Sequence, residues 1–319
     1  MKDAISLGVG EPDFVTPWAI REAGIASLEK GQTYYTANSG LIELREEICT
    51  YNKRKYGVKY DAATQVLVTV GGSEAIDAMI RAVVNPGDEV LIPEPSFVCY
   101  KPLTIMAGGV PVIIETKEED NFRLTPEQLK EKITDKTKLL ILPFPNNPTG
   151  AVMSKADLEA IADVIRDTDI LVLSDEIYGE LRYSDEKHVP FSKIDGMYER
   201  TVVVNGFSKA FAMTGWRLGY AVGPERLIKL MTKIHQYGIM SSPTTSQYAA
   251  IEALRSCDND VQTMCDEYNR RRRIIVDGFR NMGLSCFEPY GAFYVFPCIA
   301  KTGMTSEEFC NRLLEEEKV

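Results

Sequence analysis

The sequence predicts an α/β protein built around a largely parallel sheet. Between residues 65 and 223, short runs of β-branched and other apolar residues alternate with helical patterns, as in βαβ units. One run, 65–70, passes through two glycines into a helix, and another, 170–175, ends in a carboxylate. With 319 residues, of which 45% are hydrophobic and 26% charged, the chain can form a sizeable core and about two domains.

Composition argues against several classes of partner. A net charge of −10 disfavours a nucleic acid or an anionic membrane as the main partner, and no apolar run approaches the length of a membrane span. The two histidines, His188 and His235, leave little room for a multi-histidine metal site. Seven dispersed cysteines are typical of reduced thiols. We therefore expect a cytoplasmic protein with no nucleic-acid, membrane or metal partner.

The first elements follow from turn and capping residues. Thr16 and Pro17 predict a helix that starts with a threonine cap and ends near Lys30. A loop of tyrosines, 34–40, precedes a second helix over 41–51. Ahead of both, the glycine and proline of 8–14 predict an extended segment whose backbone comes close to another group.

The first strand leads into a predicted anion site. Residues 65–70 form a strand, and the helix after them runs to Val83. The N–H groups of Gly72, Ser73 and Glu74 lie at the start of that helix, where free donors and the helix dipole favour a phosphate. Because many βα units share such a turn, the turn alone is weak support for a phosphate site.

Three further strands are predicted at 89–92, 110–115 and 138–142, with a helix starting at Pro126. The last of them enters an Asn146-Asn147-Pro148 turn. The buried strand 170–175 ends at Asp175, which we expect beside the glycine turn, since ligands bind outside the carboxyl ends of parallel strands. A magnesium site at Asp175 and Glu176 is the alternative for this pair of carboxylates.

The remaining chain reads as helices with a small second domain. Helices are predicted over 224–236, 244–254 and 261–281, then strands over 284–287 and 292–296, and a last helix over 306–316. Closure of a second domain over the first would exclude water from a reaction between them.

Lys209 is the most informative single residue. No charged residue lies within seven positions of it on either side, which indicates burial. Burial favours the neutral amine, which can attack an aldehyde and form a Schiff base. Arg217 is a candidate for a nearby cation that would lower the pKa of Lys209 further. A lysine that reaches solvent from a loop is the alternative, and this segment alone leaves both open.

The segment Ser-Lys-Ala-Phe-Ala-Met-Thr-Gly-Trp-Arg-Leu-Gly, 208–219, resembles the cofactor segment of class I/II aminotransferases of fold type I, which depend on pyridoxal phosphate (PLP). The motifs Gly-Glu-Pro-Asp, Asn-Pro-Thr-Gly and Ser-Asp-Glu-Ile-Tyr occur in the order of that family, so the resemblance covers essentially the whole chain. It implies a seven-stranded, mainly parallel large domain of residues 16–255. Residues 1–15 and 256–319 would form a smaller α/β domain whose C-terminal part is incomplete.

The resemblance also assigns roles to the cofactor residues. Lys209 would carry PLP as a Schiff base, and Ser208 and Arg217 would hold the phosphate with the glycine turn. Asp175 would pair with the ring nitrogen, while Tyr178 and Asn147 would bond the ring oxygen. Phe97 would stack on the ring.

Two further roles concern the substrate and a second chain. Gly10 and Asn147 would border the substrate carboxylate. Tyr35 would reach the phosphate site of a partner subunit, so the resemblance implies a homodimer with shared active sites.

The function implied is transfer of an amino group from an L-amino acid to a 2-oxo acid, with 2-oxoglutarate as the typical acceptor. Some bacterial aspartate-selective relatives have lysine where Ser73 stands, which weakens the case for aspartate as the donor without excluding it. Aromatic or other neutral donors remain open. Two alternatives remain: a PLP-dependent carbon–sulfur β-lyase, and an inactive truncated copy that only binds cofactor. The second arises because nothing before Val319 matches the family's arginine for the substrate α-carboxylate.

Overall fold

The computed structural model describes residues 4–319 and contains the predicted α/β sheet. Its seven strands are β1 Val66–Thr69, β2 Glu89–Glu94, β3 Val110–Glu115, β4 Thr137–Leu142, β5 Leu171–Asp175, β6 Thr201–Gly206 and β7 Gly219–Val222. They lie in the order β1-β7-β6-β5-β4-β2-β3, and within this sheet β7 is antiparallel to both of its neighbours. The carboxyl ends of the other strands therefore meet at one edge.

Alternating side chains of the strands pack on both faces of the sheet. In β6, Val203 faces one apolar cluster, whereas Val202 and Val204 face another. This period of two explains why a continuous β-branched run forms a central strand buried on both sides.

Helices cover the two faces. Their bounds are α1 Trp18–Glu29, α2 Ile42–Tyr56, α3 Gly72–Val83, α4 Tyr100–Met106, α5 Pro126–Lys132, α6 Lys155–Ile165, α7 Glu225–Gly238, α8 Thr244–Ser256, α9 Asp258–Asn281 and α10 Ser306–Arg312. The α1, α2 and α8 helices contribute to the cluster around Val203, and α3 and α7 to the opposite cluster. Among residues 4–319, no helix is long and apolar enough to cross a membrane.

Several element boundaries were predicted wrongly. The Thr16 hydroxyl donates to the carbonyl of Ala212 (2.5 Å) and does not cap α1, whose N-cap is Pro17. The α2 helix continues past residue 51 until Gly57, whose left-handed φ of 75° ends it. Helices α4 and α6 were not predicted, although Ser154 and Asp157 form a capping box at the start of α6.

The segment 284–298 also differs from its prediction. Residues 292–296 do not form a strand, because Ala292 has a φ of 56° and the chain turns there. A short antiparallel pair instead joins β8 Ser285–Cys286 to β9 Pro297–Cys298. The last predicted helix is α-helical only to Arg312 and ends in a π-helical turn over 313–317. Residues 1–3 of the predicted small domain lie outside the described residues.

Candidate active site

A cavity of about 500 Å³ opens at the edge of the sheet where the parallel strands end. Its wall includes residues that follow β1, β2, β4, β5 and β6, together with the extended segment 8–11 and Tyr294. The parallel topology thus brings together side chains that are far apart in sequence, as expected for an α/β sheet.

The start of α3 and the Arg217 side chain form one end of this cavity. Gly71 has a φ of 80°, and a Cβ added there would lie 2.7 Å from a terminal nitrogen of Arg217. A Cβ at Gly219 would lie 2.5 Å from the Gly72 nitrogen. Both glycines therefore permit an approach of backbone and guanidinium that a larger residue would block, and Ser208 lines the same cavity.

The Lys209 loop is held in place from outside the cavity. The indole nitrogen of Trp216 donates to the Thr16 hydroxyl (3.1 Å), and Ser246 donates to the Trp216 carbonyl (2.8 Å). Arg217 itself has a φ of 51° and donates to the Thr214 carbonyl (2.9 Å). A left-handed backbone at a non-glycine residue is typical of functional sites, where surrounding contacts hold it.

Lys209 projects into the cavity as a largely buried amine. Its Nζ donates to the carbonyl of Gly10 (2.5 Å) and lies 5.8 Å and 5.4 Å from the ring centres of Tyr178 and Phe293. Burial lowers the pKa of Lys209, and the Arg217 cation adds to this effect, whereas Glu11 raises it. The neutral, nucleophilic fraction of the amine is therefore larger than that of a free lysine, and the burial agrees with the isolation of Lys209 in the sequence.

Asp175 lies at the end of β5 with both carboxylate oxygens bonded. Its Oδ2 accepts from the Tyr100 hydroxyl (2.7 Å) and its Oδ1 from the Ile177 N–H (3.2 Å). Burial raises the pKa of Asp175, while the Tyr100 hydrogen bond opposes that rise. A buried carboxylate of this kind is stabilised by a cationic partner in the cavity. Tyr100 could not be recognised from the sequence, because only the fold brings its side chain against the end of β5.

Tyr178 is joined to a residue that the sequence analysis did not single out. Its hydroxyl lies 2.7 Å from the Tyr294 hydroxyl. A Cβ built on Gly10 would lie 2.2 Å from the same Tyr294 oxygen. Tyr294 therefore connects the segment after α9 with the extended N-terminal segment, beside Lys209. Burial raises the pKa of Tyr178, so that its hydroxyl stays protonated.

The turn after β4 divides two roles between adjacent asparagines. The Asn146 side chain accepts from the backbone and hydroxyl of Thr149 (3.1 and 2.8 Å), which stabilises the turn. Asn147 instead lines the cavity, as does half-buried Phe97. The asparagine that stabilises the turn is therefore Asn146, which also donates to the Pro95 carbonyl (3.3 Å) in the loop after β2.

The structure brings most of the predicted site residues to this cavity. Those that line it are Gly10, Gly72, Ser73, Phe97, Asn147, Asp175, Tyr178, Ser208, Lys209 and Arg217. Glu74 does not line it, since its carboxylate bonds the Val70 N–H and His235 (2.5 Å each). Tyr35 is 78% exposed and lies outside the cavity of its own chain.

The two adjacent carboxylates at the end of β5, Asp175 and Glu176, also face different surroundings. Unlike Asp175, Glu176 does not line the cavity, because its carboxylate bonds Ser174 (2.7 Å), His188 (2.7 Å) and the N–H of Phe191 (3.1 Å). Within residues 4–319, no group of three or more His, Cys, Asp or Glu side chains is arranged to hold a metal ion.

These residues fit a phosphorylated cofactor that carries an aldehyde and a basic ring. A guanidinium, a hydroxyl and the start of a helix face the phosphate end, a nucleophilic amine lies in the middle, and a buried carboxylate lies at the strand end. Such an arrangement has the groups that a PLP site on an α/β fold requires.

Comparisons with known proteins lead to the same class. The family model of aminotransferase class I and II matches residues 2–319. An aspartate aminotransferase from Pyrococcus abyssi (strain GE5 / Orsay) is 47% identical over 321 residues, covering 100% of this chain and 82% of the relative. Aromatic-amino-acid aminotransferase 2 from Thermococcus litoralis is 45% identical over 317 residues, with 99% and 82% covered.

A solved structure agrees with the sequence relatives. The crystal structure of aromatic aminotransferase from Pyrococcus horikoshii OT3 has a TM-score of 0.97 and 47% identity, covering 99% of this chain and 86% of that one. The chain belongs to the class I and II aminotransferases, and its sheet is that of fold type I. It is thus a PLP-dependent enzyme of the aminotransferase type, as the resemblance implied.

Proposed function

We propose that this protein transfers the amino group of an L-amino acid to a 2-oxo acid, with 2-oxoglutarate as the acceptor, through a Schiff base between PLP and Lys209. The observation that supports this proposal most is that a largely buried lysine with a lowered pKa lines one cavity together with Arg217 and Asp175. When bound, PLP supplies an aldehyde carbon that exchanges amino groups and a ring that accepts the electron pair of the donor's α-carbon.

The roles of the residues follow from their chemistry. Arg217, Ser208 and the N–H groups that begin α3 would bind the phosphate. Asp175, kept anionic by a cationic ring nitrogen and the Tyr100 hydroxyl, would hold that nitrogen protonated. Phe97 would stack on the ring, and the Tyr178 hydroxyl and the Asn147 amide would donate to the ring oxygen.

Lys209 would carry the proton in the chemical step. Once a substrate amine displaced it from the cofactor, the ε-amine of Lys209 would accept the proton from the donor's α-carbon and then deliver it to the cofactor's former aldehyde carbon. The short bond from Nζ to the Gly10 carbonyl keeps the amine near the segment that would border the substrate carboxylate. Hydrolysis by one water would release the donor as a 2-oxo acid and leave its amino group on the cofactor. The second half-reaction would run these steps in reverse, transferring that amino group to 2-oxoglutarate and releasing water.

For the donor, the cavity wall favours a neutral side chain. Ser73, Val9, Val98 and Tyr294 line it, and among the described lining residues the cations are Lys209 and Arg217, which the cofactor would use. Relatives named for aspartate and for aromatic amino acids match at similar identity, so their names do not decide between donors. We therefore propose aromatic or other neutral amino acids as the better donors.

Three further features belong to this proposal. The chain would act as a cytoplasmic homodimer in which the exposed Tyr35 reaches the partner's phosphate site. Residues 16–255 would form the PLP-binding domain, with 1–15 and 256–319 as the smaller domain. Tyr294 contacts the extended segment near Gly10 and would help to close the smaller domain over the cavity.

Half-transamination tests the proposal directly. The PLP-loaded protein is mixed with single amino acids and no oxo acid, while the cofactor spectrum and the released 2-oxo acid are measured. We expect loss of the Lys209-linked absorbance band and one 2-oxo acid per site, with neutral donors ahead of aspartate. Pyruvate released repeatedly from cystathionine without an oxo acid would favour a β-lyase. An unchanged band with every donor would indicate a copy that only binds cofactor.

A further inference from the structure

A buried acid–imidazole pair lies behind the start of α3. The Glu74 Oε1 is 2.5 Å from Nδ1 of His235, and the two side chains are 15% and 0% exposed. His235 is on the last turn of α7, where its carbonyl accepts the N–H groups of Ile239 (2.8 Å) and Met240 (3.0 Å). These backbone hydrogen bonds at the end of α7 therefore help to fix the position of the imidazole.

Glu74 stabilises the turn between β1 and α3. Its second oxygen, Oε2, accepts the Val70 N–H (2.5 Å), one residue before Gly71. Since Gly71 is the N-cap of α3, this bond fixes the backbone at the start of the helix. The role explains why a carboxylate stands here although it does not line the cavity.

The same carboxylate is electrostatically unfavourable for a phosphate. Gly72 and Ser73, in the same first turn of α3, line the cavity at its phosphate end. A negative side chain in this turn interacts with the helix dipole and its free N–H groups, and so competes with a bound anion for both. A group that holds the carboxylate away from the helix N-terminus through a hydrogen bond would reduce that competition.

We propose that His235 is a positioning residue for the phosphate site: its hydrogen bond holds the Glu74 carboxylate on the α7 side of α3. The first N–H groups of α3 are then left to the phosphate of the cofactor. Glu74 thus fixes the turn through Val70, and His235 prevents its charge from weakening phosphate binding. The proposal rests on the proposed function of this cavity as a PLP site.

The test compares two cofactor forms in four proteins. Apo protein is titrated with PLP and with pyridoxal, which lacks the phosphate, and the Lys209-linked band is followed. In His235→Phe the hydrogen bond to Glu74 is lost. We expect PLP affinity to fall about tenfold, from one carboxylate charge released toward the site, while pyridoxal affinity changes less than about twofold.

Two other variants separate this effect from a loss of packing. The double variant Glu74→Gln with His235→Phe removes the offending charge while Gln keeps an acceptor for Val70, so PLP affinity should return to near that of the wild type. His235→Asn places an amide donor where Nδ1 was and should retain most of the affinity. If His235→Phe does not fold, His235→Gln replaces it, because its amide nitrogen lies at the Nε2 position and does not reach Glu74.

The outcomes distinguish the inference from the proposed function. Wild type that binds PLP no more tightly than pyridoxal would refute the phosphate site and the inference together. Wild type that prefers PLP, with the same preference in His235→Phe or no recovery in the double variant, would refute the inference alone. An equal fall for PLP and pyridoxal would show a role in packing and would also overturn it.

Discussion

Tyr100→Phe isolates the hydrogen bond that holds Asp175. The Tyr100 side chain is fully buried and its hydroxyl donates to Oδ2 of Asp175 (2.7 Å). Burial, together with the nearby Asp175 charge, raises the pKa of Tyr100 well above its usual range, so the hydroxyl is a permanent donor. A hydrogen bond to a charged group contributes about 1.5–3 kcal/mol. If the bound cofactor requires an anionic Asp175, the variant should bind PLP roughly ten- to a hundredfold more weakly.

The pH dependence has a defined sign. Burial raises the pKa of Asp175 and the Tyr100 bond lowers it, so removal of the hydroxyl raises the pKa further. Asp175 must be ionised to pair with a protonated ring nitrogen, and that pairing is lost as pH falls through its pKa. The acid limb of PLP affinity should therefore move to higher pH in Tyr100→Phe.

Titration of apo protein with PLP across the acidic range measures both effects. Tyr60→Phe is the matched control, because its hydroxyl bonds Ser192 (2.8 Å), a neutral partner outside the cavity. This control should alter folding stability by about 1 kcal/mol without moving the acid limb. Equal PLP affinity and an unmoved limb in Tyr100→Phe would refute the role given to this bond.

Three other predictions follow from single contacts. Glu11 raises the pKa of Lys209, so Glu11→Gln should lower that pKa and speed PLP capture at neutral pH roughly two- to fivefold, as measured by stopped-flow absorbance. Gly219→Ala would place a Cβ 2.5 Å from a backbone nitrogen and should destabilise the protein by about 1–3 kcal/mol in urea unfolding. Gly215→Ala, with nothing within 4 Å, should change stability by less than about 0.5 kcal/mol and serves as its control. If the subunits share active sites, mixing the inactive variants Tyr35→Ala and Lys209→Ala should restore about one quarter of wild-type activity. Half of the dimers are then mixed, and each mixed dimer contains one intact site. The absence of recovered activity in proven mixed dimers would exclude shared sites.

The sequence predicted the sheet well because the strands are buried on both faces. Runs such as Val202 to Val204 leave little choice of structure, and the fold class and most strands were correct. Helix starts were less certain, since a threonine before a proline can bond elsewhere, as Thr16 does with Ala212. Residues 292–296 contain aromatic residues typical of a strand, yet they turn so that Phe293 and Tyr294 reach the cavity region.

The site was predictable where motif and chemistry coincide in sequence. The isolation of Lys209 from other charges predicted the burial seen in the structure, whereas its role in the site came from the resemblance of segment 208–219. The partners that tune the site were not predictable, because they come from other elements. Tyr100 reaches Asp175, Tyr294 reaches Tyr178, and each contact exists only once the helices and strands have packed.

The most direct test of the account is the location of the cofactor. The protein is loaded with PLP, reduced with borohydride to make the lysine linkage permanent, and digested for mass spectrometry of the modified peptide. We expect one pyridoxyl phosphate group per chain, on Lys209, and no modification at a single lysine in Lys209→Ala. Stoichiometric label on another lysine, or equal label in Lys209→Ala, would contradict the central claim that this residue holds the cofactor.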